Sequence, residues 1–524
     1  MVSLILVSLV VAEDSFVISK IHVDTKNVFD DAVTHTSFER ELYRLGNWFH
    51  IETKPSVIRG KLSFNEGDTI SFSEIQDAEK NLRALRYISD AKIEAKKDSL
   101  GNIDIYVETS DNWTFAPAFH LGKPGEKWLW AFGVQESNLL GFGHTIGFYS
   151  AHLQDRDQKY LLYQTDDFIF PHNKLDFLWS ENTDGFSRSL GLRYPFISRS
   201  KNQWSYNAEW LWSKRDEKFY ESENSEPAWM IEGLSEDSLS LWLSRSFGGT
   251  FFKTYLGAGY DFYRIGRGPV SKGCAMGDTY QDSRLGFSLA MSRVHLDKKR
   301  NFHRVKWTED IERGYKVKNV IAKNVEDWGA INDDWYFENS ISLSLGAGGH
   351  NFYAKGHNSF YYNDNNSSND NIRHMNSILF GEYIFKPVLE WSSVLSARVD
   401  SWQKTYYPRQ LYLDGLNIFP GFPAYYLAGQ NTFAFKAEQR YFPGFEVLAQ
   451  IPSFAMFVTA GQATDELRAF EPRDLIYQAG LGLRVSNSKS VQGIVSHINL
   501  SWPLNGNLKD GFLPRFSFVG KLEL

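Results

Sequence analysis

The stretch GRGPVSKG, Gly266 to Gly273, carries the glycines and lysine of a phosphate cradle. It lacks the Gly-Lys-Ser/Thr ending and the following helix with which backbone amides and a lysine hold a phosphate chain, so it reads as a loop. The thirteen histidines are scattered, and none forms the His-Glu-x-x-His pair of a zinc protease. Asp364 and Asp370 stand in an Asn-rich run, but the regular oxygen spacing of a calcium loop is missing, which leaves a solvated loop. No Gly-x-Ser-x-Gly elbow presents a nucleophile. The paired carboxylates Asp166-Asp167 and Asp333-Asp334 fall at expected strand ends, where solvation accounts for them. No catalytic residue, metal ligand or cofactor site is expected, and the chain is read as not an enzyme.

Charges on an alternating strand are a stronger signal. In NTFAFKAEQRYF (431–442), Phe433, Phe435, Ala437 and Tyr441 fall on one face, and Lys436, Glu438 and Arg440 on the other. Successive side chains of a strand point to opposite sides. RFSFVGKLEL sets Phe516, Phe518, Gly520, Leu522 and Leu524 against Arg515, Ser517, Lys521 and Glu523. SISLSLGAG alternates Ser340, Ser342 and Ser344 with Ile341, Leu343 and Leu345, and KWLWAFGV puts Trp128, Trp130, Phe132 and Val134 on one side. Polar runs such as NDNNSSNDN (363–371) separate these stretches.

Alternation alone fits a soluble β protein as well as a membrane barrel. Large aromatics on one face and full charges on the other suit an outer wall in lipid and a wet lumen, whereas a soluble barrel needs small apolar residues inside. Some runs reach the roughly 9–11 residues of a tilted spanning strand, and only a closed barrel satisfies strand edges in lipid. Residues 113–524 are expected to form an all-β transmembrane barrel.

Composition agrees. The 524 residues leave room for two or more domains. Forty Phe, 26 Tyr and 16 Trp supply material for aromatic girdles. No interior run approaches the roughly 18 apolar residues of a spanning helix. A net charge of −7 gives no hint of a nucleic-acid partner. One cysteine, Cys274, rules out an intrachain disulfide framework and a thiolate metal cluster. At the start, the apolar run Val2 to Val11, then Ala12, Glu13 and Asp14, reads as a signal peptide over residues 1–12. It lacks a basic n-region, so an upstream start or a buried strand is the alternative.

Residues 13–112 have a different character. SFVISKIHV (15–23) reads as a strand, and SVIRGKLSFNEGD (56–68) as a helix closing at Gly67-Asp68. SFSEIQDAEKNLRALRYI (71–88) reads as a second helix, with Ser73 and Gln76 at capping-box spacing. Its apolar face is Ile75, Ala78, Leu82, Leu85 and Ile88. DAKIEAKKD and NIDIYVETS then form a hairpin around Leu100-Gly101-Asn102.

These segments carry a resemblance. The order strand, helix, helix, strand, strand resembles a POTRA domain. ESNLLGFGHTIGFYS (136–150) resembles the NLLG-x-G segment early in the barrel of the BamA/TamA outer-membrane assembly superfamily. LDGLNIFPGFPAYYLAGQNTFAFKAEQRYF (413–442) is similar to that family's sixth extracellular loop and the strand after it, and five strand-like segments follow the loop. The resemblance implies one POTRA domain in the periplasm and a barrel of about 16 strands in a bacterial outer membrane. It implies a loop-six tip at Pro420, Gly421 and Phe422, and lumen-facing Thr459, Glu438, Arg440 and Lys436. It also implies a barrel seam between the first and last strands, with Gly520 weakening it. Pro420 stands where the family has an Arg, and Thr459 where that Arg's Asp partner stands, so both partners of that lock are replaced together.

The function implied is non-enzymatic assembly, insertion or translocation of outer-membrane or surface proteins. Outer-membrane lipid and unfolded client proteins are the expected partners, with periplasmic chaperones or assembly lipoproteins as accessories. The alternatives are a passive outer-membrane channel and a dedicated two-partner-type secretion pore.

Overall fold

The computed structural model describes residues 15–29, 37–98, 101–122, 128–153, 155–199, 201–223, 228, 230–268, 279–300, 308–363, 371–413, 418–447, 449–489, 495–508 and 511–521. The signal-like residues 1–12, the loop at Asp364 and Asp370, Cys274 and most of the glycine-rich run after Gly268 lie outside these.

The amino-terminal unit runs β1 (Ser15–Lys26), α1 (Ser37–Phe49), α2 (Pro55–Gly60), β2 (Thr69–Ser71), α3 (Phe72–Arg83), β3 (Ile88–Lys97) and β4 (Ile103–Asp111). Its sheet has the order β2-β1-β4-β3, with β1 parallel to β4 and the other pairs antiparallel. Ile75, Ala78 and Leu82 of the expected apolar face pack from α3, which ends at Arg83 rather than at 88; Leu85 follows the helix and Ile88 opens β3, and all five join the core with Ile18, Ile58 and Ile105.

Three details differ from expectation. The cap of α3 is Ser71 with Glu74, whose carboxylate accepts the Ser71 N–H at 3.0 Å; Ser73 and Gln76 lie inside the helix. α2 ends at Gly60, because Leu62 and Phe64, two residues apart, are both buried, as an extended chain allows. α1 was not anticipated.

A closed barrel follows. Its ascending half is β5 (Phe115–Gly122), β6 (Leu129–Glu136), β7 (Thr145–His152), β8 (Asp157–Thr165), β9 (Lys174–Asn182), β10 (Gly185–Tyr194), β11 (Trp204–Phe219), β12 (Met230–Gly248), β13 (Lys253–Gly268) and β14 (Thr279–Arg300). It continues with β15 (Thr308–Asn324), β16 (Trp335–Ala347), β17 (His350–Tyr362), β18 (Ile372–Val388) and β19 (Trp391–Gln403). The short pair β20 (Leu411–Leu413) and β21 (Leu427–Gly429) stands apart from the wall. The wall resumes with β22 (Asn431–Tyr441), β23 (Gln450–Thr464), β24 (Ile476–Asn487), β25 (Val495–Pro503) and β26 (Arg515–Lys521), which pairs with β5.

The barrel has 20 strands, not about 16. Sixteen strands require about 26 residues for each strand and its loop. Several connections are tight hairpins, such as Thr183-Asp184 and Gly348-Gly349, so the same length holds four more strands. Five strands follow the 404–430 loop, as expected.

The wall is apolar outside and polar inside. On β23, exposed Phe454, Met456 and Val458 alternate with buried Ser453, Ala455 and Thr459. On β6 and β16, Phe132, Val134, Ile341 and Leu345 are exposed in the same way. A closed wall of this kind is a transmembrane barrel.

The amino-terminal unit sits against one end of the barrel, the near rim. Arg83 on α3 grips Asp310 with two bonds of 2.8 and 2.7 Å. Lys80 meets Glu312 at 2.7 Å, Asp77 meets Arg199 at 2.6 Å, Glu74 meets Lys201 at 2.9 Å, and Lys61 meets Asp167 at 2.7 Å. α3 therefore bridges the β10–β11 connection and the β14–β15 hairpin.

Candidate functional site

The segment from Lys404 to Gln430 joins β19 to β22 and crosses the far end of the lumen. Its start is fixed among aromatic rings. The Tyr406 ring stacks on His374 at 5.3 Å, and its hydroxyl donates to Asp334 at 2.6 Å. Arg267, clamped by Glu217 and Glu232, donates to the Pro408 carbonyl at 3.1 Å. Gln410 exchanges bonds of 2.8 and 2.7 Å with the Tyr220 backbone on the β11–β12 connection.

The tip lies on the opposite wall. Phe419 and Phe422 are fully buried and Tyr426 nearly so, with Phe422 4.9 Å from the Tyr426 ring. The Phe422 N–H closes a tight turn on the Phe419 carbonyl at 2.9 Å. A Cβ on Gly421 would come within 2.8 Å of the Gln478 side-chain oxygen, so any larger residue there pushes the amide aside. Pro420, Gly421 and Phe422 thus form a placed inner loop rather than a surface turn.

Gln478 of β24 holds the tip. Its Oε1 accepts the Gly421 N–H at 2.8 Å, and its Nε2 donates to the Ile418 carbonyl at 2.9 Å. Thr459 is fully buried beside it, as cross-strand neighbour of both Gln478 and Lys436. The Thr459 hydroxyl has no hydrogen-bond partner among the described residues. The loop is therefore held through its backbone by a side-chain amide of β24. Nothing in the sequence alone singles out Gln478, apart from its being the polar residue between Ile476 and Gly480 on the inner face.

Lys436, Glu438 and Arg440 face the lumen together. Glu438 is buried, with Lys436 Nζ and Arg440 Nε each at 2.5 Å. A third cation, Arg484 of β24, lies 3.7 Å from it and donates to Asn499 at 2.7 Å. Three cations around one buried carboxylate make a cross-braced inner wall on β22–β25.

The seam is the shortest ladder of the barrel among the described residues. β26 meets β5 through three pairs, Ser517 with Gly122, Phe518 with Leu121, and Val519 with His120. β25 and β26 share seven pairs, and β14 and β15 share 17. The Phe119 and Phe518 rings cover the seam at 5.4 Å. Gly520 lies opposite Ser496 of β25, one residue beyond the described seam pairs.

Neither a family profile nor a curated protein matches the chain. Among solved structures it is similar to BamA from Haemophilus ducreyi lacking POTRA domains 1–3, at 12% identity and a TM-score of 0.40, covering 96% of this chain and 84% of that one. It is also similar to CdiB from Acinetobacter baumannii, at 13% identity and a TM-score of 0.43 over 96% of this chain and 73% of that one. For CdiB from Escherichia coli the values are 12% and 0.40, over 98% and 92%.

Proposed function

We propose that the chain is an outer-membrane barrel that inserts or translocates client proteins, without enzymatic chemistry, with residues 13–112 acting as a POTRA-like domain in the periplasm. The observation that carries this reading is the three-pair seam. A closure with fewer ladder pairs among the described residues carries fewer backbone hydrogen bonds there, and such a joint is the place where the barrel opens at least cost. β3 is an edge strand of the amino-terminal sheet among the described residues, and an extended client segment adds to such an edge through main-chain bonds. The 404–430 segment packed across the lumen counts against a passive channel, which needs a continuous water path.

Depletion of the protein in cells tests the proposal. Outer-membrane levels of a subset of barrel proteins are expected to fall. Unchanged levels, together with free ion conduction by the purified protein in a planar bilayer, would overturn it in favour of a channel.

A further inference from the structure

Among its described side chains, α1 turns large apolar residues outward. Its packed side is Tyr43, Gly46 and Asn47. Tyr43 stacks on Phe29 at 4.7 Å, and the Asn47 side chain exchanges bonds of 3.1 and 2.8 Å with the Phe29 backbone. Phe29 in turn lies 6.1 Å from Trp113, just before β5. The helix is thus pinned beside the first strand of the seam. Its outward side is Leu45, Trp48 and Phe49, which are 53%, 75% and 64% exposed. The spacing of three and four residues puts them on one apolar stripe.

The stripe continues onto the barrel. The chain after α1 is bonded to the turn between β6 and β7, the Lys54 N–H donating to the Gly141 carbonyl at 3.1 Å and the Asn138 amide to the Ile51 carbonyl at 3.5 Å. That turn exposes Leu139, Leu140 and Phe142. It is held rigidly: the Asn138 side chain accepts the Gly143 N–H at 2.7 Å and donates to Thr53 at 2.9 Å. Leu140 adopts φ +55, a left-handed conformation that is costly for a branched side chain and is kept by its surroundings. The turn joins β6 and β7, on which Phe132, Val134 and Phe148 are exposed. Charged groups rim the patch: exposed Arg44 pairs with Glu41 at 3.1 Å, and Lys54 Nζ lies 3.4 Å above the Phe142 ring.

We propose that α1 and the β6–β7 turn form a foot seated in the near leaflet of the membrane beside the seam. Its partner is a lipid surface. Continuity with the lipid-facing wall identifies the occupant, because a patch at the lower edge of that wall meets the same bilayer. Indole and phenyl rings at headgroup depth, with flanking cations reaching water, are the chemistry of an interfacial helix. The foot tethers the amino-terminal unit to the bilayer at the point where the barrel closes. It requires only that the barrel lie in lipid, and stands whether the barrel inserts clients or conducts.

The test uses the full chain with Cys274→Ser, carrying one bimane-labelled cysteine and reconstituted in phosphatidylcholine–phosphatidylglycerol vesicles. Trp48→Cys and, separately, Leu45→Cys report on the foot; Leu45→Cys leaves both rings intact. Asn102→Cys is the control, because β4 runs straight into β5 and its nine residues put the far hairpin about 30 Å from the barrel. A headgroup-region nitroxide lipid is expected to quench the probes at 45 and 48 several-fold more than the probe at 102, with aqueous iodide giving the reverse order. Equal quenching at all three positions, or full iodide access at 45 and 48, overturns the proposal. Heat-modifiable migration of each variant confirms a folded barrel.

Discussion

The side-chain amide of Gln478 accepts the Gly421 N–H at 2.8 Å while donating to the Ile418 carbonyl at 2.9 Å, so one residue pins both sides of the inner loop tip. Gln478→Ala leaves a buried N–H and a buried carbonyl without partners, at about 1–3 kcal/mol each. Single-channel recording is the check. The variant is expected to open frequently where the parent is quiet, and Gly421→Ala is expected to do the same by pushing the amide away. An equally quiet Gln478→Ala pore means the aromatic packing of Phe419 and Phe422 holds the loop alone.

Glu438→Gln removes the carboxylate that pairs with Lys436, Arg440 and Arg484. Stranding a buried cation costs about 3–5 kcal/mol, and of the three only Arg484 is buried, so the loss is expected at or below the low end of that range. The urea midpoint of barrel unfolding is expected to drop markedly, and Glu438→Leu combined with Arg484→Leu to recover part of the loss. Equal midpoints for parent and Glu438→Gln would mean that lumen water already screens the cluster.

Much of this wall was legible. Alternation on 431–442 placed Lys436, Glu438 and Arg440 inward, because a strand has only two faces and charge beside Phe433 and Phe435 assigns them. α3 was legible for the same reason, its apolar residues recurring at helical spacing. α1 was not, since its apolar stripe faces outward and its packed residues include Gly46 and Asn47. The strand number depends on hairpin tightness, which average length conceals. Gln478 binds backbone, and the backbone it binds arrives from 60 residues away, so no residue type marks the partner.

His50 and Asp111 meet at the junction of the amino-terminal unit, with 3.8 Å between Nε2 and Oδ2, and both are buried. Burial lowers the imidazole from 6.5 to about 4 and raises the carboxyl from 3.8 to about 6. The raised Asp111 contributes stability that is present below pH 3.8 and lost as pH rises through about 6. The depressed His50 contributes stability that is present above pH 6.5 and lost as pH falls through about 4. The two slopes oppose each other, so protection of β4 amides from hydrogen exchange is expected to be nearly flat from pH 4 to 6. Asp111→Asn should leave protection rising with pH, and His50→Gln should leave it falling. A steep slope in the parent protein contradicts the cancellation.

The Lys80–Glu312 pair joins α3 to the near rim and is partly exposed. A pair of that kind contributes about 0.2–1 kcal/mol. Lys80→Glu and Glu312→Lys are each expected to speed exchange of α3 amides, and the double swap to restore it. Additive effects in the cycle would place the two residues out of contact. Raised salt should loosen the parent in the same direction.

The central claim is that the wall opens at the β26–β5 seam. Ser517 and Gly122 are directly opposite there, within disulfide range for an antiparallel pair. In a Cys274→Ser background, Ser517→Cys with Gly122→Cys should close the seam on oxidation. The measurement is the rate at which proteoliposomes holding the oxidised protein fold an unfolded eight-stranded outer-membrane barrel, followed by its heat-modifiable band. The account predicts that the rate falls to that of empty liposomes and returns on reduction. Undiminished folding by the fully cross-linked protein would contradict it.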